Sequence, residues 1–267
     1  MTIKEYVLLR KEQIKSEING FKRKPFFAIV QVNDDPASNS YIKGKIKDAE
    51  ELGISTDLIK LDESTTESEL LKLIETLNNN GQIDGFIVQL PLPKHISEDK
   101  IKMAINPHKD IDGFHPLSTL SPCTPKGIVD YLKFINEKIE GKNAVVIGRS
   151  NIVGKPMAKI LLKENANVTI LHSKTKLEDM QFYLSHADII VVAIGKLHFL
   201  DERFNYKPTA IIVDVGINRD ENGLHGDALP NLKVRIQTPV PGGVGLLTRL
   251  ALMENLIEVY KNGISNK

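Results

Sequence analysis

The chain has 267 residues, 41% of them hydrophobic and 26% charged, and a net charge of +1. This is ordinary for one large or two small globular domains, and the near-neutral charge argues against nucleic acid or an anionic membrane as a partner. No apolar run reaches the ~18 residues of a membrane helix. A lone cysteine, Cys123, allows no internal disulfide. The lone cysteine, the charged N-terminus and the lack of a membrane-length apolar run favour a cytoplasmic protein. Because C-x-x-C and H-E-x-x-H are absent, we expect no dedicated metal site.

Helices and strands alternate through the first half of the sequence. Apolar residues at helical spacing predict an amphipathic helix over residues 3–18. The further predicted elements are a strand over 26–32, a helix over 41–52, a strand over 56–60, a helix over 67–77 and a strand over 86–90. This alternation is typical of a parallel α/β sheet.

A proline-rich segment, residues 91–125, follows with KDIDGFHP in its middle. A loop of this length is either a linker or a functional surface. We place a domain boundary at its end, before a helix predicted over 125–135.

The second half repeats the alternation and predicts a small doubly wound unit. Its predicted elements are strands over 143–147, 167–171, 189–193 and 210–215, a helix after Gly154 and a helix over 177–185. A final apolar stripe from Leu246 to Tyr260 predicts a core helix that packs on the first domain. The predicted domains are therefore residues 1–124 plus 246–267, and residues 125–245.

The sequence VVIGRSNIVGKPM (145–157) is the central motif of the second half. A strand, Gly148, Gly154 and a helix follow one another, an order that directs backbone N–H groups and a helix N-terminus at a phosphate. The spacing is not that of the three-glycine dinucleotide fingerprint. An ordinary strand–helix turn that needs glycine for close packing is the alternative interpretation.

The end of the next strand indicates which dinucleotide would bind. NAD sites usually carry an acidic residue about 20 residues after the glycine turn, but here the strand ends in Leu171-His172-Ser173-Lys174. Arg149, Ser173 and Lys174 could bind a 2′-phosphate, which favours NADP. Gly195 stands where a strand end meets a cofactor. The glycine-rich loop 242–245 is a second candidate, with a tight interdomain turn as its alternative.

Four polar residues of the first half could meet at one site. Tyr41 and Lys45 share a helix face, Gln89 ends a strand, and Asp112 lies on the proline-rich loop. A phenol, an amine, an amide and a carboxylate could hold a flat heterocycle and move a proton. A lone lysine on a solvated helix is the alternative for Lys45.

Together these stretches resemble the bifunctional methylenetetrahydrofolate dehydrogenase/cyclohydrolase family. The matching segments, in the family's order, are DDPASNSYIKGK (34–45), DGFIVQLPLP (84–93), PHKDIDGFHP (107–116), PCTPKG (122–127), VVIGRSNIVGKP (145–156), TILHSKT (169–175), DIIVVAIG (188–195), VDVGIN (213–218) and TPVPGGVG (238–245). One departure is Leu246, which stands where proline is usual.

The resemblance implies an α/β enzyme whose N-terminal catalytic domain and C-terminal Rossmann-type domain flank a cleft. It implies oxidation of 5,10-methylene-tetrahydrofolate by NADP, then hydrolysis of the methenyl product to 10-formyl-tetrahydrofolate. Such an enzyme serves one-carbon metabolism, and through it purine and amino-acid biosynthesis. Tetrahydrofolate derivatives and a second copy of the chain, in a homodimer, are the implied partners.

The resemblance also assigns roles to individual residues. Lys45 would be the catalytic residue of hydrolysis, assisted by Gln89, with Tyr41 stacked on the folate ring and Asp112 on the pterin. The other implied substrate residues are Leu90, Pro241, Gly242 and Gly243. The implied cofactor residues are Gly148, Arg149, Ser150, Val153, His172, Ser173, Lys174, Ala193, Gly195, Gly216, Ile217, Gly245 and Thr248.

The charge of the methenyl product bears on Lys45. A permanently charged amine beside a cation is unfavourable, so we hypothesise that Lys45 has a lowered pKa and works partly as a neutral base.

Three other functions are consistent with parts of the sequence. A monofunctional dehydrogenase would keep the cofactor turn but lose the Tyr41/Lys45 pair. Another NADP oxidoreductase on this fold would leave Gln89 and Asp112 unexplained. A non-catalytic nucleotide-binding regulator would need no convergent lysine, glutamine and aspartate, and would bind cofactor without turnover.

Overall fold

The computed structural model describes residues 1–221 and 223–265. The helices are α1 (Ile3–Ile18), α2 (Pro36–Leu52), α3 (Glu67–Asn79), α4 (Glu98–Ala104), α5 (Cys123–Phe134), α6 (Gly154–Lys163), α7 (Leu177–His186) and α8 (Val244–Ser265). The strands are β1 (Phe26–Gln31), β2 (Ser55–Lys60), β3 (Gly85–Val88), β4 (Asn143–Ile147), β5 (Asn167–Leu171), β6 (Ile189–Val192), β7 (Ile211–Asp214), β8 (Asn218–Asp220), β9 (Gly223–His225) and β10 (Ile236–Gln237).

The chain divides into two compact units. The three-stranded unit comprises Leu8–Cys123 and Arg249–Lys267, and the five-stranded unit comprises Met1–Val7 and Thr124–Thr248. Each unit is named after its main sheet.

The sheet of the three-stranded unit has the order β2-β1-β3, with every pair parallel. All four residues of β3 are buried, as are five of the six in β1, because helices cover both faces of such a sheet. One core cluster joins these strands to α3, through Leu70 and Ile74, and to α4, through Ile101. Because β1 lies between β2 and β3, the strand order reverses between β1 and β3. The carboxyl ends of these two strands are where α/β proteins place ligands.

The sheet of the five-stranded unit has the order β10-β7-β6-β4-β5 and is also parallel. Two core clusters pack against it. One contains alternate β4 residues Ala144 and Val146, and the other contains Val145 and Ile147, so they lie on opposite faces. This is the doubly wound arrangement expected from the sequence. The strand order reverses between β4 and β6, so their carboxyl ends form the predicted ligand position.

The boundaries of several elements are as predicted, and others are not. α1, β4 and β5 have the predicted bounds, whereas α2 starts at Pro36 rather than at residue 41. Asp35 caps α2 by accepting a 2.7 Å hydrogen bond from the Ser38 backbone N–H, and Pro36 suits a first helical position. The predicted loop 91–125 also contains α4, whose cap is Ser97.

In the described part of the chain, residues 1–221 and 223–265, no helix has both the length and the apolar character needed to span a membrane.

Candidate functional site

Lys45 is a buried lysine near the middle of α2. Its side chain is packed against Tyr41, one helical turn earlier, with Nζ 5.0 Å from the ring centre. Nζ also donates a 3.1 Å hydrogen bond to Gln89 Oε1, and the residue is only 5% exposed. The structure therefore brings together three of the four predicted residues.

Gln89 owes its position to β3. Its backbone N–H continues the sheet ladder by donating to the Val30 carbonyl at 2.8 Å, so the side chain lies where the strand order reverses. Its Nε2 donates a 2.7 Å hydrogen bond to the Leu90 carbonyl. Because the amide nitrogen is engaged there, the amide oxygen is directed at Lys45. Leu90 thus contributes its carbonyl, and it precedes a cis peptide bond to Pro91.

Asp112 lies on a loop that a second carboxylate organises. The buried side chain of Asp110 accepts hydrogen bonds from the backbone N–H groups of Gly113 (3.1 Å) and His115 (2.7 Å). Among the described residues, none donates a hydrogen bond to the Asp112 carboxylate itself. Its acceptor sites therefore remain available to a ligand.

Lys45 and Asp112 influence each other's titration. Burial lowers the pKa of Lys45, while Asp112 and the Cys123 thiol oppose the shift and Arg249 adds to it. Burial raises the pKa of Asp112, and Lys45 opposes that shift. Desolvation dominates for both groups, so each is moved toward its neutral form. The sequence hypothesis also gives Lys45 a lowered pKa, and the neutral form of an amine is the form able to accept a proton.

The glycine turn lies at the carboxyl end of β4, in the five-stranded unit. Gly148 has φ +120°, and a Cβ on Gly154 would overlap the Gly148 carbonyl, so α6 starts directly against the strand end. Ser150 Oγ accepts from the backbone N–H groups of Val153 (3.1 Å) and Gly154 (3.2 Å). The glycines therefore do allow close packing of the strand and the helix, as in the alternative interpretation of this turn. The same turn also places a helix N-terminus at the strand-order reversal.

A groove of about 590 Å³ opens beside this turn. Six of the predicted cofactor residues line it: Gly148, Arg149, Ser150, His172, Ser173 and Ala193. A groove of this size, with Gly148 in its wall and a helix N-terminus beside it, fits a dinucleotide.

The turn after β5 forms one end of this groove. Thr175 Oγ1 accepts a 2.9 Å hydrogen bond from the His172 backbone N–H, and His172 Nδ1 accepts from the Lys174 N–H at 3.2 Å. Ser173 and Lys174 are exposed, and residues 172–176 contain no carboxylate. Such a turn accommodates an additional phosphate without repulsion.

Other predicted residues lie outside the groove lining. Gly216 is buried and Ile217 exposed at the end of β7, and Gly195 is exposed after β6. The Thr248 side chain forms hydrogen bonds within the five-stranded unit. Its Oγ1 lies 2.9 Å from Thr124 Oγ1 and 3.1 Å from the Val244 carbonyl. The remaining members, all in the five-stranded unit, are Val153, Lys174, Pro241, Gly242, Gly243 and Gly245.

Comparison of the sequence with models of known protein families identifies the family. Residues 2–112 match the catalytic-domain model of tetrahydrofolate dehydrogenase/cyclohydrolase, and residues 122–264 match the NAD(P)-binding-domain model of the same family. The chain belongs to this family. The dehydrogenase/cyclohydrolase thus has both of the family's domains, one for catalysis and one for NAD(P).

Individual relatives agree over nearly the full length. The bifunctional protein FolD of Brevibacillus brevis is 44% identical over 274 residues, which is 97% of this chain and 95% of the relative. The FolD dehydrogenase/cyclohydrolase structure from Campylobacter jejuni has a TM-score of 0.92 at 42% identity, over 97% and 96% of the two chains. The Trypanosoma brucei structure, in complex with NADP and an inhibitor, has a TM-score of 0.93 at 27% identity, over 99% and 97%.

Sequence reasoning missed several groove residues of this dehydrogenase/cyclohydrolase. Thr175, Lys196, Phe199, Arg203 and Phe204 also line the nucleotide groove. Thr175 lies in one of the segments that carry the family resemblance, and Lys196 directly follows another. Their position could therefore have identified them as cofactor-site candidates. The other three belong to the connection between β6 and β7, where the sequence has no recognisable pattern.

The departure at Leu246 is accommodated in the first turn of α8. The Leu246 backbone N–H donates a 3.0 Å hydrogen bond to the Gly243 carbonyl, which a proline could not do. The helix start therefore forms without the family's usual proline.

Proposed function

We propose that this protein oxidises 5,10-methylene-tetrahydrofolate with NADP and hydrolyses the resulting 5,10-methenyl-tetrahydrofolate to 10-formyl-tetrahydrofolate. The buried Lys45 amine, hydrogen-bonded to Gln89 and packed on Tyr41, is the observation that carries the proposal. The names of the family and of its full-length relatives, which include both activities, support it.

Lys45 acts as the base of the hydrolytic step. A water molecule adds to the methenyl carbon, and the neutral Lys45 amine accepts a proton from it. Gln89 holds the amine through its Oε1, at 3.1 Å. The bond from the one-carbon unit to N5 then breaks as the hydroxyl proton of the water adduct is transferred to N5, so the formyl group stays on N10 and Lys45 releases its proton to solvent. A neutral amine suits this step because the methenyl substrate is itself a cation.

Tyr41 and Asp112 position the substrate. The Tyr41 ring stacks on the folate aromatic system, and the available acceptors of the Asp112 carboxylate take hydrogen bonds from the pterin. The other proposed substrate residues are Leu90 in the three-stranded unit and Pro241, Gly242 and Gly243 in the five-stranded unit.

NADP, when bound, accepts the hydride that leaves the methylene carbon. The glycine turn at Gly148, Ser150 and the N-terminus of α6 would hold its phosphates. Arg149, Ser173 and Lys174 would bind the 2′-phosphate. The lining of the groove and the NADP-bound relative support this assignment. The other proposed cofactor residues are Val153, His172, Ala193, Gly195, Gly216, Ile217, Gly245 and Thr248.

A spectrophotometric assay with 5,10-methylene-tetrahydrofolate tests both activities. With NADP, reduced cofactor is expected to form without accumulation of the methenyl product. In Lys45→Met the cofactor is still reduced and the methenyl product accumulates. Lys43→Met is the matched control, because Lys43 is an exposed lysine two residues away on the same helix. Undiminished hydrolysis in Lys45→Met would contradict the assignment of Lys45.

A homodimer is the proposed assembly. β5 lies at one edge of its sheet, and Ile170 on it is 39% exposed. Leu162 on α6 and Phe182 and Tyr183 on α7 add exposed apolar surface on the helices flanking β5 in the chain. An apolar sheet edge is a template for a second copy. Sedimentation should show monomers for Ile170→Lys, and dimers for Leu117→Lys, a control at another exposed leucine.

The proposed domains are residues 1–124 plus 246–267 for folate and residues 125–245 for NADP. The compact units differ from this by assigning Met1–Val7, Thr124 and residues 246–248 to the five-stranded unit. The single buried thiol, Cys123, suits the cytoplasm, and the net charge of +1 offers nucleic acid little attraction. The product would supply one-carbon units for purine and amino-acid biosynthesis.

A further inference from the structure

A buried carboxylate closes the carboxyl end of β6. Asp227 is fully buried and accepts hydrogen bonds from three consecutive backbone N–H groups, those of Ile194 (2.7 Å), Gly195 (2.9 Å) and Lys196 (2.7 Å). Asn218 Nδ2 donates a fourth at 3.0 Å. Successive N–H groups that converge in this way form an anion-binding concavity. Here the chain supplies the anion itself.

A second buried carboxylate holds the first. Asp214, the last residue of β7, accepts hydrogen bonds from the backbone N–H groups of Asp227 (3.0 Å), Ala228 (2.8 Å) and Gly216 (2.9 Å). Its own N–H donates to Thr238 Oγ1 at 2.8 Å. The two aspartates therefore connect the loop after β6 to the end of β7.

Two glycines leave the space that this arrangement needs. A Cβ on Gly216 would overlap the Asp227 carboxylate, and a Cβ on Gly226 would overlap the Asp214 carboxylate. At both places a side chain larger than that of glycine would displace the carboxylate.

The segments that the two aspartates connect are those assigned to the cofactor. Ala193 and Gly195 lie on the loop after β6, and Gly216 and Ile217 follow β7. The N–H groups of residues 194–196 are committed to Asp227, so they are not available to a phosphate. This loop contributes to binding through its shape and its outward-facing groups, and its shape depends on Asp227.

We propose that Asp227, held by Asp214, is a positioning residue for NADP that acts through the loop 194–196. The inference rests on the proposed function, because it concerns the same cofactor site. Asp227 is buried beneath the loop, and none of its hydrogen bonds needs the cofactor.

The test is Asp227→Asn, which keeps the size of the side chain and removes its charge. An amide presents an NH₂ group toward backbone donors, so at least one of the hydrogen bonds is lost. The dissociation constant and KM for NADP are expected to rise by about tenfold, the equivalent of one charge-assisted hydrogen bond. Hydrolysis of 5,10-methenyl-tetrahydrofolate, assayed without NADP, should keep its kcat and KM, because Lys45 and Gln89 lie in the three-stranded unit.

The matched control is Asp188→Asn in the same sheet. Asp188 precedes β6 and accepts from the Asn143 backbone N–H and from Lys207 Nζ, both at 2.9 Å, at the amino end of the strand. It should lower thermal stability without changing the dissociation constant for NADP. Unchanged NADP binding in Asp227→Asn, or equal weakening in Asp188→Asn, would overturn the inference.

Two further outcomes are distinguishable. Wild-type protein that binds no NADP would refute the proposed function rather than the role of Asp227. If Asp227→Asn does not fold, as shown by loss of the cofactor-free hydrolysis, Asn218→Ala replaces it. That variant removes a single donor and should raise the dissociation constant for NADP about threefold, and an unchanged constant would overturn the inference.

Discussion

Lys45 and Gln89 form a hydrogen bond in which the buried amine has a neutral partner. Nζ lies 3.1 Å from Oε1, and Gln89 is fixed by its own bond to the Leu90 carbonyl. An amide accepts a hydrogen bond from either form of the amine without stabilising the ammonium as a carboxylate would. The pair therefore holds the lysine in place while leaving its pKa low.

A carboxylate in place of the amide should shift the pH dependence of hydrolysis. Burial lowers the pKa of Lys45, and the neutral amine is the proposed active form, so activity is expected to rise with pH through that pKa. In Gln89→Glu the new charge favours the ammonium, and the acid limb of the pH–rate profile should move up by at least about one unit.

Gln89→Met is the neutral counterpart in that experiment. It removes the hydrogen bond without adding a charge, so the acid limb should stay in place or move down. An upward shift of equal size in both variants would show that the charge of the partner is not what matters.

Replacing Lys45 by methionine should stabilise the protein at neutral pH. Because burial lowers the pKa of Lys45 in the folded state, the unfolded chain binds the proton more tightly and unfolding is favoured. This destabilisation is present at neutral pH and fades as the pH rises toward the ordinary lysine pKa near 10.5. Urea denaturation of Lys45→Met should show a higher free energy of unfolding than wild type at pH 7, and the difference should shrink toward pH 10. A variant less stable than wild type at pH 7 would contradict it.

Alanine at Gly154 should weaken both folding and NADP binding. Its Cβ would overlap the Gly148 carbonyl, and such overpacking costs about 1–3 kcal/mol. The dissociation constant for NADP should rise because the start of α6 moves away from the strand. Gly263→Ala is the control, since Gly263 lies in α8 with open space around it and should gain about 0.5 kcal/mol. Equal NADP affinity in Gly154→Ala and wild type would refute the phosphate-binding role of the turn.

Lys174 should decide between the two nicotinamide cofactors. Loss of one charge-assisted bond to the 2′-phosphate is expected to raise the KM for NADP about tenfold in Lys174→Ala. The KM for NAD, which lacks that phosphate, should not change. Lys176→Ala, at an exposed lysine paired with Glu178, should alter neither value. Parallel changes for NADP and NAD would exclude a 2′-phosphate contact.

Much of the framework was predictable because the signals are local. The apolar spacing of α1 and the uninterrupted apolar runs of β4 and β5 define their bounds. Lys45, Tyr41 and Gln89 were predicted to meet because strand ends and helix starts share one edge of a parallel sheet, and the structure places them together.

The misses have equally local causes. α4 is seven residues long and buries Ile101 as its one fully internal side chain, so it has too little periodicity to stand out between prolines. The start of α2 was missed because Asp and Pro, here Asp35 and Pro36, are common both in β-turns and at helix N-termini.

Asp227 could not have been found from sequence. Its proposed role depends on three N–H groups about thirty residues earlier in the chain. An aspartate that follows a short strand such as β9 carries no local sequence sign of being buried. Nothing but the fold brings that carboxylate under the loop.

The turn after β5 has a consequence for evolution. Ser173 and Lys174 are exposed, so on the proposed assignment substitutions there would change which cofactor is tolerated while leaving the core untouched. Under the proposed 2′-phosphate contact, a single acidic residue in this turn would move the preference from NADP toward NAD at little cost to folding.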